Sequence, residues 1–91
     1  MITINELYLA ATFLAYGAKL EEVDHTDPHR KKFIFSEGDI KEIWELAGNA
    51  ILRIENPSFE TIHLKFTSGT LVFPPNYVDS LRKIKSIIYG V

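Results

Sequence analysis

Apolar residues dominate the run from Leu7 to Tyr16, where only Thr12 interrupts them. This pattern predicts a helix with almost no polar face. Such a helix is buried all round, in the core or against a second copy of the chain. Thr3-Ile4-Asn5-Glu6 reads as its capping box: the Thr3 hydroxyl accepts from the Glu6 amide while the Glu6 side chain reaches back. Ile2 and Leu7 stand where a hydrophobic staple would, and Gly17 supplies the C-terminal stop.

The next stretch changes period. Lys19 to Asp24 and Lys32-Phe33-Ile34-Phe35 read as two strands, the second rich in aromatic and β-branched residues. Between them His25 to His29, with Pro28, form a polar loop, so the strands pair as a hairpin. Ser36 then offers an N-cap, with Glu37 and Asp39 in a first turn where the helix dipole favours acids. Ile40, Ile43, Trp44, Ala47, Ile51 and Ile54 follow at spacings of three and four, which predicts a helix over 37–55. Trp44 lies on its inward stripe, while Leu46 and Leu52 fall off it. Gly48 weakens this helix by ~1 kcal/mol relative to alanine, and Asn56-Pro57 ends it.

Residues 58–73 fit two patterns. Ile62, Leu64 and Phe66 alternate with Thr61, His63 and Lys65, and Ser68-Gly69 makes a turn into Leu71-Val72-Phe73, which favours a second hairpin. Asn56 as cap, Pro57 as first helical residue and Phe59, Ile62 and Phe66 at helical spacing read instead as a short helix. After Pro74-Pro75 a last helix is predicted over 75–89, with Val78, Leu81, Ile84 and Ile88 inward and Gly90 at its close. The expected fold is therefore α+β: three helices on a small antiparallel sheet built from one or two hairpins, in a single domain over 1–91.

Length and composition narrow the chemistry. Ninety-one residues give one domain with a thin stability margin, and 46% hydrophobic content is ample for a core. The absence of cysteine excludes disulfides, thiolate metal sites and a cysteine nucleophile, and is compatible with a cytoplasmic life. No apolar run approaches the roughly 20 residues that span a bilayer, and no signal-peptide pattern opens the chain. The net charge of −2 argues mildly against general nucleic-acid affinity. It is uneven: residues 33–47 carry a net −3, with Glu37, Asp39, Glu42 and Glu45 against Lys41. Residues 79–91 carry +2, with Arg82, Lys83 and Lys85 against Asp79. Opposed faces of this kind favour self-association or a charged partner.

The element order resembles a short domain of unknown function found in bacteriophage and mobile-element genomes. Leu7-Tyr8-Leu9-Ala10-Ala11, Leu14-Ala15-Tyr16-Gly17-Ala18-Lys19-Leu20, Lys32-Phe33-Ile34-Phe35 and the run from Tyr77 to Tyr89 carry the resemblance, about half the chain, while Asn49 to Thr67 matches poorly. It implies a phage or mobile-element origin and a compact α+β fold, and it carries over no catalytic residue.

Candidate sites are few. His25, Asp27 and His29, beside Asp24, combine imidazole and carboxylate as zinc or nickel would require, although a hairpin tip ordinarily holds such residues. His29, Arg30, Lys31 and Lys32 beside Phe33 and Phe35 could track phosphates and stack bases, joined by Arg82, Lys83 and Lys85 if the fold brings them together. Tyr8, Phe13, Tyr16, Leu46 and Leu52 are interface candidates. No nucleophile elbow or phosphate-cradling loop is present, and a domain this small has little room for a pocket of several hundred Å³. The expectation is a non-enzymatic binding or regulatory protein without cofactor, acting through protein–protein contacts as a homo-oligomer. A nucleic-acid-binding accessory protein, and a small-molecule-binding protein with its site at a subunit interface, are the alternatives.

Overall fold

The computed structural model describes residues 1–27, 29–36 and 38–89. The expected roles of Pro28, Glu37 and Gly90 lie outside them. The chain is α+β, with three helices and two small antiparallel sheets among the described residues. In order it runs β1 (Ile2–Ile4), α1 (Leu7–Ala15), β2 (Leu20–Asp24), β3 (Lys32–Phe35), β4 (Glu42–Ala47), β5 (Ala50–Glu55), α2 (Phe59–Ser68) and α3 (Tyr77–Tyr89).

The first sheet has the order β1-β3-β2. Phe33 and Phe35 alternate toward the core while Lys32 faces solvent, and they pair with Ile4 and Ile2 of β1 on one side and with Val23 and Leu20 of β2 on the other. The expected hairpin of β2 and β3 is thus present, and β1 joins it. Because residues 2–4 are strand, Thr3 does not cap α1. Glu6 does: its two carboxylate oxygens accept from the Tyr8 amide at 3.1 Å and the Leu9 amide at 2.6 Å. An acceptor at this place satisfies amides that the helix cannot pair internally.

Helix α1 is the centre of the fold. Leu9, Ala10, Ala11, Thr12, Phe13 and Ala15 are all buried, as its pattern required, and the covering comes from the chain itself. Thr12, the one polar residue in the run, returns its hydroxyl to the Tyr8 carbonyl at 2.8 Å. Phe13 sits between Phe35 of β3 and Phe59 of α2, with ring centroids at 5.8 and 5.7 Å. Helix α3 packs along α1 in the reverse direction. At its start the Asn76 side-chain amide donates to the Ala15 carbonyl at 3.2 Å, and at its far end Lys31 Nζ donates to the carbonyls of Ile87 and Ile88, both at 2.8 Å. Ile84 and Ser80 are buried in this contact, whereas Val78, expected inward, is 56% exposed.

The middle of the chain differs from the sequence expectation twice. Residues 42–55 are a hairpin, not a helix. Glu42 to Ala47 pairs in register with Glu55 to Ala50 across the two-residue turn Gly48-Asn49. Gly48 has φ +63 and Asn49 a negative φ, the pattern of a type II′ turn, whose twist matches that of the strands. Gly48, read as a weak helix residue, is the turn that makes the hairpin. Residues 59–68 are the converse case, a helix where alternation favoured strands. Ser58 caps it, its Oγ accepting from the Thr61 amide at 3.1 Å, and Gly69 ends it in the left-handed region at φ +74. Ile62 is its buried residue, with Phe59 and Phe66 partly buried beside it. The helix count of three survives because these two segments exchange roles.

Candidate interaction surface

Strand alternation gives the β4–β5 hairpin two faces. Ile43, Glu45, Leu52 and Ile54 share one, by their cross-strand pairing. Ile43 is fully buried and Ile54 partly so, which anchors this face to the core. Glu45 meets Lys65 of α2 at 2.8 Å, with both side chains largely covered. Trp44, Leu46, Ile51, Glu42, Arg53 and Glu55 share the other face. There Arg53 reaches Glu42 across the strands and Glu55 along its own strand at 3.1 Å.

Residues 70–72 flank β4 on its outer side. Leu46 N donates to Thr70 O at 2.7 Å and Val72 N to Trp44 O at 2.8 Å, around an antiparallel bridge of Glu45 with Leu71. Tyr16, at the end of α1, donates its hydroxyl to the Val72 carbonyl. Burial pushes the Tyr16 phenol above its ordinary value, and the nearby Trp44 amide partly offsets this. An open cleft of about 860 Å³ lies here, walled by Tyr16, Trp44, Ile51, Val72, Phe73 and Pro74. The expectation was little room for a pocket of several hundred Å³; this cleft reaches that size while lying open to solvent.

From residue 46 to residue 53 every position of the hairpin is exposed. Leu46 is 51% exposed, Ile51 58%, Leu52 47% and Trp44 38%. Leu46 and Leu52 were interface candidates from the sequence. Trp44 and Ile51 were assigned to a buried helical stripe, and the structure moves both to the surface. The signal that could have placed them was Gly48-Asn49 between two six-residue segments of strand character.

The other candidates fall apart in space. Phe13 is 2% exposed and belongs to the core, because α1 is enclosed by the sheet, α2 and α3. Tyr8 is exposed at the start of α1, and Tyr16 is partly buried in the cleft. Tyr77 of α3 approaches Tyr8, Glu6 and Thr12, and burial first, then Glu6 and Tyr8, raises its phenol above the ordinary value while its hydrogen bond with Thr12 opposes this.

His25, Asp27 and His29 do not assemble as ligands. Among the described residues no three His, Asp or Glu side chains are grouped to hold a metal. Asp27 accepts from the His29 amide at 2.9 Å, and Asp24 accepts from Thr26. The Thr26 hydroxyl and amide hold the Asp24 carboxyl below its ordinary value.

Of the basic residues, Lys31 is spent on the α3 carbonyls, while Arg30 and Lys32 are exposed. Arg82, Lys83 and Lys85 are exposed on α3, with Arg82 3.8 Å from Asp79. Phe33 and Phe35, the expected stacking platform, are buried in the core, and the aromatic that accompanies Arg82 and Lys85 is the exposed Tyr89 of α3. Among the described residues no helix is long and apolar enough to cross a membrane.

No family model matches this sequence, and comparison with curated proteins and with solved structures returned no match.

Proposed function

We propose that this chain is a non-enzymatic binding protein that works through protein–protein contact and associates with itself, using the outer half of the β4–β5 hairpin. One observation carries the reading: four large apolar side chains, Trp44, Leu46 and Ile51 on one face of the hairpin and Leu52 on the other, stand exposed while the chain's own core closes without them. Two expected motives for association have gone, since α1 is covered within the chain and the long helical stripe does not exist. The hairpin replaces them. An exposed apolar patch marks an interaction surface.

The magnitude sets the strength of the contact. Fully burying such a side chain is worth roughly 1.5–3 kcal/mol, so four that are half exposed offer about 4 kcal/mol in all. Association costs ~4–15 kcal/mol in lost freedom, so apolar burial alone gives at most a weak complex. Main-chain hydrogen bonding must contribute for the contact to persist. The phage or mobile-element origin implied by the resemblance belongs to this proposal, and the genes beside this one test it.

Light scattering after size exclusion tests the association. A mass that rises with loading concentration, and that Leu46→Asp with Ile51→Asp returns to the monomer value without loss of helix signal, is expected. A monomer at every concentration would overturn the reading.

A further inference from the structure

Among the described residues the two sheets expose three strand edges, and the fold treats them differently. β1 is a three-residue edge. β2 is broken by a register shift between Leu20 and Glu22 and carries Glu21, Glu22 and Asp24. Short length, bulges and charge are the devices by which edges avoid other chains. In the second sheet β4 is flanked by β5 on one side and residues 70–72 on the other. β5 has no neighbour on its outer side among the described residues. It is six residues long, its pairing with β4 runs without a register shift, and Ala50, Ile51 and Leu52 are exposed on it.

The hydrogen-bonding phase of this edge follows from the turn. In a two-residue hairpin the closing pair, Ala47 with Ala50, is hydrogen-bonded, and so are alternate pairs beyond it. Leu52 and Ile54 therefore turn their main-chain groups toward β4, and Ile51, Arg53 and Glu55 turn theirs outward. The phase of β4 agrees, since Trp44 and Leu46 bond residues 72 and 70 on its other side.

We infer that β5 pairs antiparallel with β5 of a second copy, about a two-fold axis at Leu52, to make a continuous sheet β4-β5-β5-β4. This rests on the self-association proposed above and specifies its geometry. Only registers that set outward groups against outward groups are allowed. Centring on Arg53 puts two arginines directly opposite, which is unfavourable. Centring on Ile54 sets Ile51 against Pro57, which has no amide to give. Centring on Ile51 sets Arg53 against turn residue Asn49 and shortens the contact.

Centring on Leu52 avoids all three. It sets Leu52 against Leu52 and Ala50 against Ile54 on one face, and Ile51 against the aliphatic stem of Arg53 on the other. It also supplies about four main-chain hydrogen bonds between the copies. A standard interface buries roughly 800 Å² per partner, more than two short edge strands supply, so the dimer is expected to be weak and concentration-dependent.

The chain has no cysteine, so one introduced cysteine reports on one position. Ile51→Cys, Leu52→Cys, Arg53→Cys and Ile54→Cys are each oxidised in a glutathione redox buffer, and the covalent dimer is measured. Across an antiparallel non-hydrogen-bonded pair the Cα atoms lie about 4.5 Å apart, within disulfide range. Leu52→Cys is expected to cross-link several-fold faster than the other three. Fastest cross-linking at 51, 53 or 54 would overturn the Leu52 register. Wild-type dimer by light scattering with no cross-link at any of the four would overturn the β5 edge while leaving self-association standing, and a wild-type monomer would remove both. Arg53→Pro, which deletes an outward amide and keeps the β4 ladder, is expected to abolish the dimer; unchanged dimer in a folded Arg53→Pro protein would also refute edge pairing.

Discussion

Phe13 offers the sharpest test of how the fold is held together, because its position admits two opposite outcomes. A phenylalanine on an association surface could be truncated with a change in oligomeric state and little change in stability. The structure instead puts it at the meeting point of α1, β3 and α2, in ring contact with Phe35 and Phe59 and only 2% exposed. Phe13→Ala removes the ring from a site whose walls belong to three different elements and cannot all close on the gap. Truncations of this kind cost about 3–5 kcal/mol. Domains are stable by roughly 0.05–0.15 kcal/mol per residue, which for 91 residues is about 5–14 kcal/mol. The loss is therefore a large share of the total, and the alanine variant is expected at or near the edge of unfolding. Phe13→Leu gives a graded second point, expected at about 1–2 kcal/mol because volume is largely kept. Urea titration followed by far-UV circular dichroism measures both, and Tyr8→Ala, at an exposed position, serves as the reference with a change within about 1 kcal/mol. A Phe13→Ala protein that loses less than about 1 kcal/mol and changes its association instead would refute the core assignment.

Lys31→Met keeps most of the side chain's bulk but removes the charged donor from the Ile87 and Ile88 carbonyls, and should cost about 1.5–3 kcal/mol, with hydrogen exchange of the last turn of α3 accelerating first. Tyr16→Phe deletes the hydroxyl bonded to Val72 and is expected to lose about 1 kcal/mol at neutral pH by thermal or urea unfolding. The pH dependence of Tyr16 has a definite sign: its folded pKa lies above the reference 10.0, so the unfolded state releases its proton first and stability falls as pH rises from about 10 through the folded value. Tyr77 contributes in the same direction, so Tyr16→Phe should reduce this alkaline loss without removing it. Gly48→Val forces a β-branched residue to φ +63 in the hairpin turn and should cost about 1–2 kcal/mol or more, read as a lowered urea midpoint.

The elements that the sequence made legible are those where local chemistry and burial agree. The run Leu7 to Tyr16 is apolar on every side and is buried on every side. The Lys32 to Phe35 strand alternates Phe33 and Phe35 into the core, and its β2 partner was evident across the polar loop. The failures share one cause. Ile43, Trp44, Ala47, Ile51 and Ile54 satisfy a spacing of three and four and also lie on two strands, because periodicity cannot separate the two over short segments. What decides the matter is Gly48-Asn49, a turn whose glycine, in a helical reading, is only a penalty.

In 59–68 the alternation of Ile62, Leu64 and Phe66 competed with the spacing of Phe59, Ile62 and Phe66. The packing of Phe59 against Phe13 resolved it in favour of the helix. The helical alternative had taken Asn56 as cap, whereas Ser58 fills that place. Leu46 and Leu52 were named as surface residues because they fell off a helical stripe; they are exposed, but as members of a hairpin. The 860 Å³ cleft was invisible for a different reason: its walls come from residues 16, 44, 51 and 72–74, which no local pattern joins.

The central claim is that the β4–β5 hairpin is where this protein meets its partner copy. A dilution series of ¹⁵N–¹H correlation spectra, from millimolar to micromolar, reads it residue by residue without any substitution. Shifts that move with concentration and concentrate in the amides of residues 50–55, largest at Ile51 and Arg53, are the expected result. Spectra unchanged across the whole range, or shifts centred on α1, α3 or the β2 edge, would contradict it.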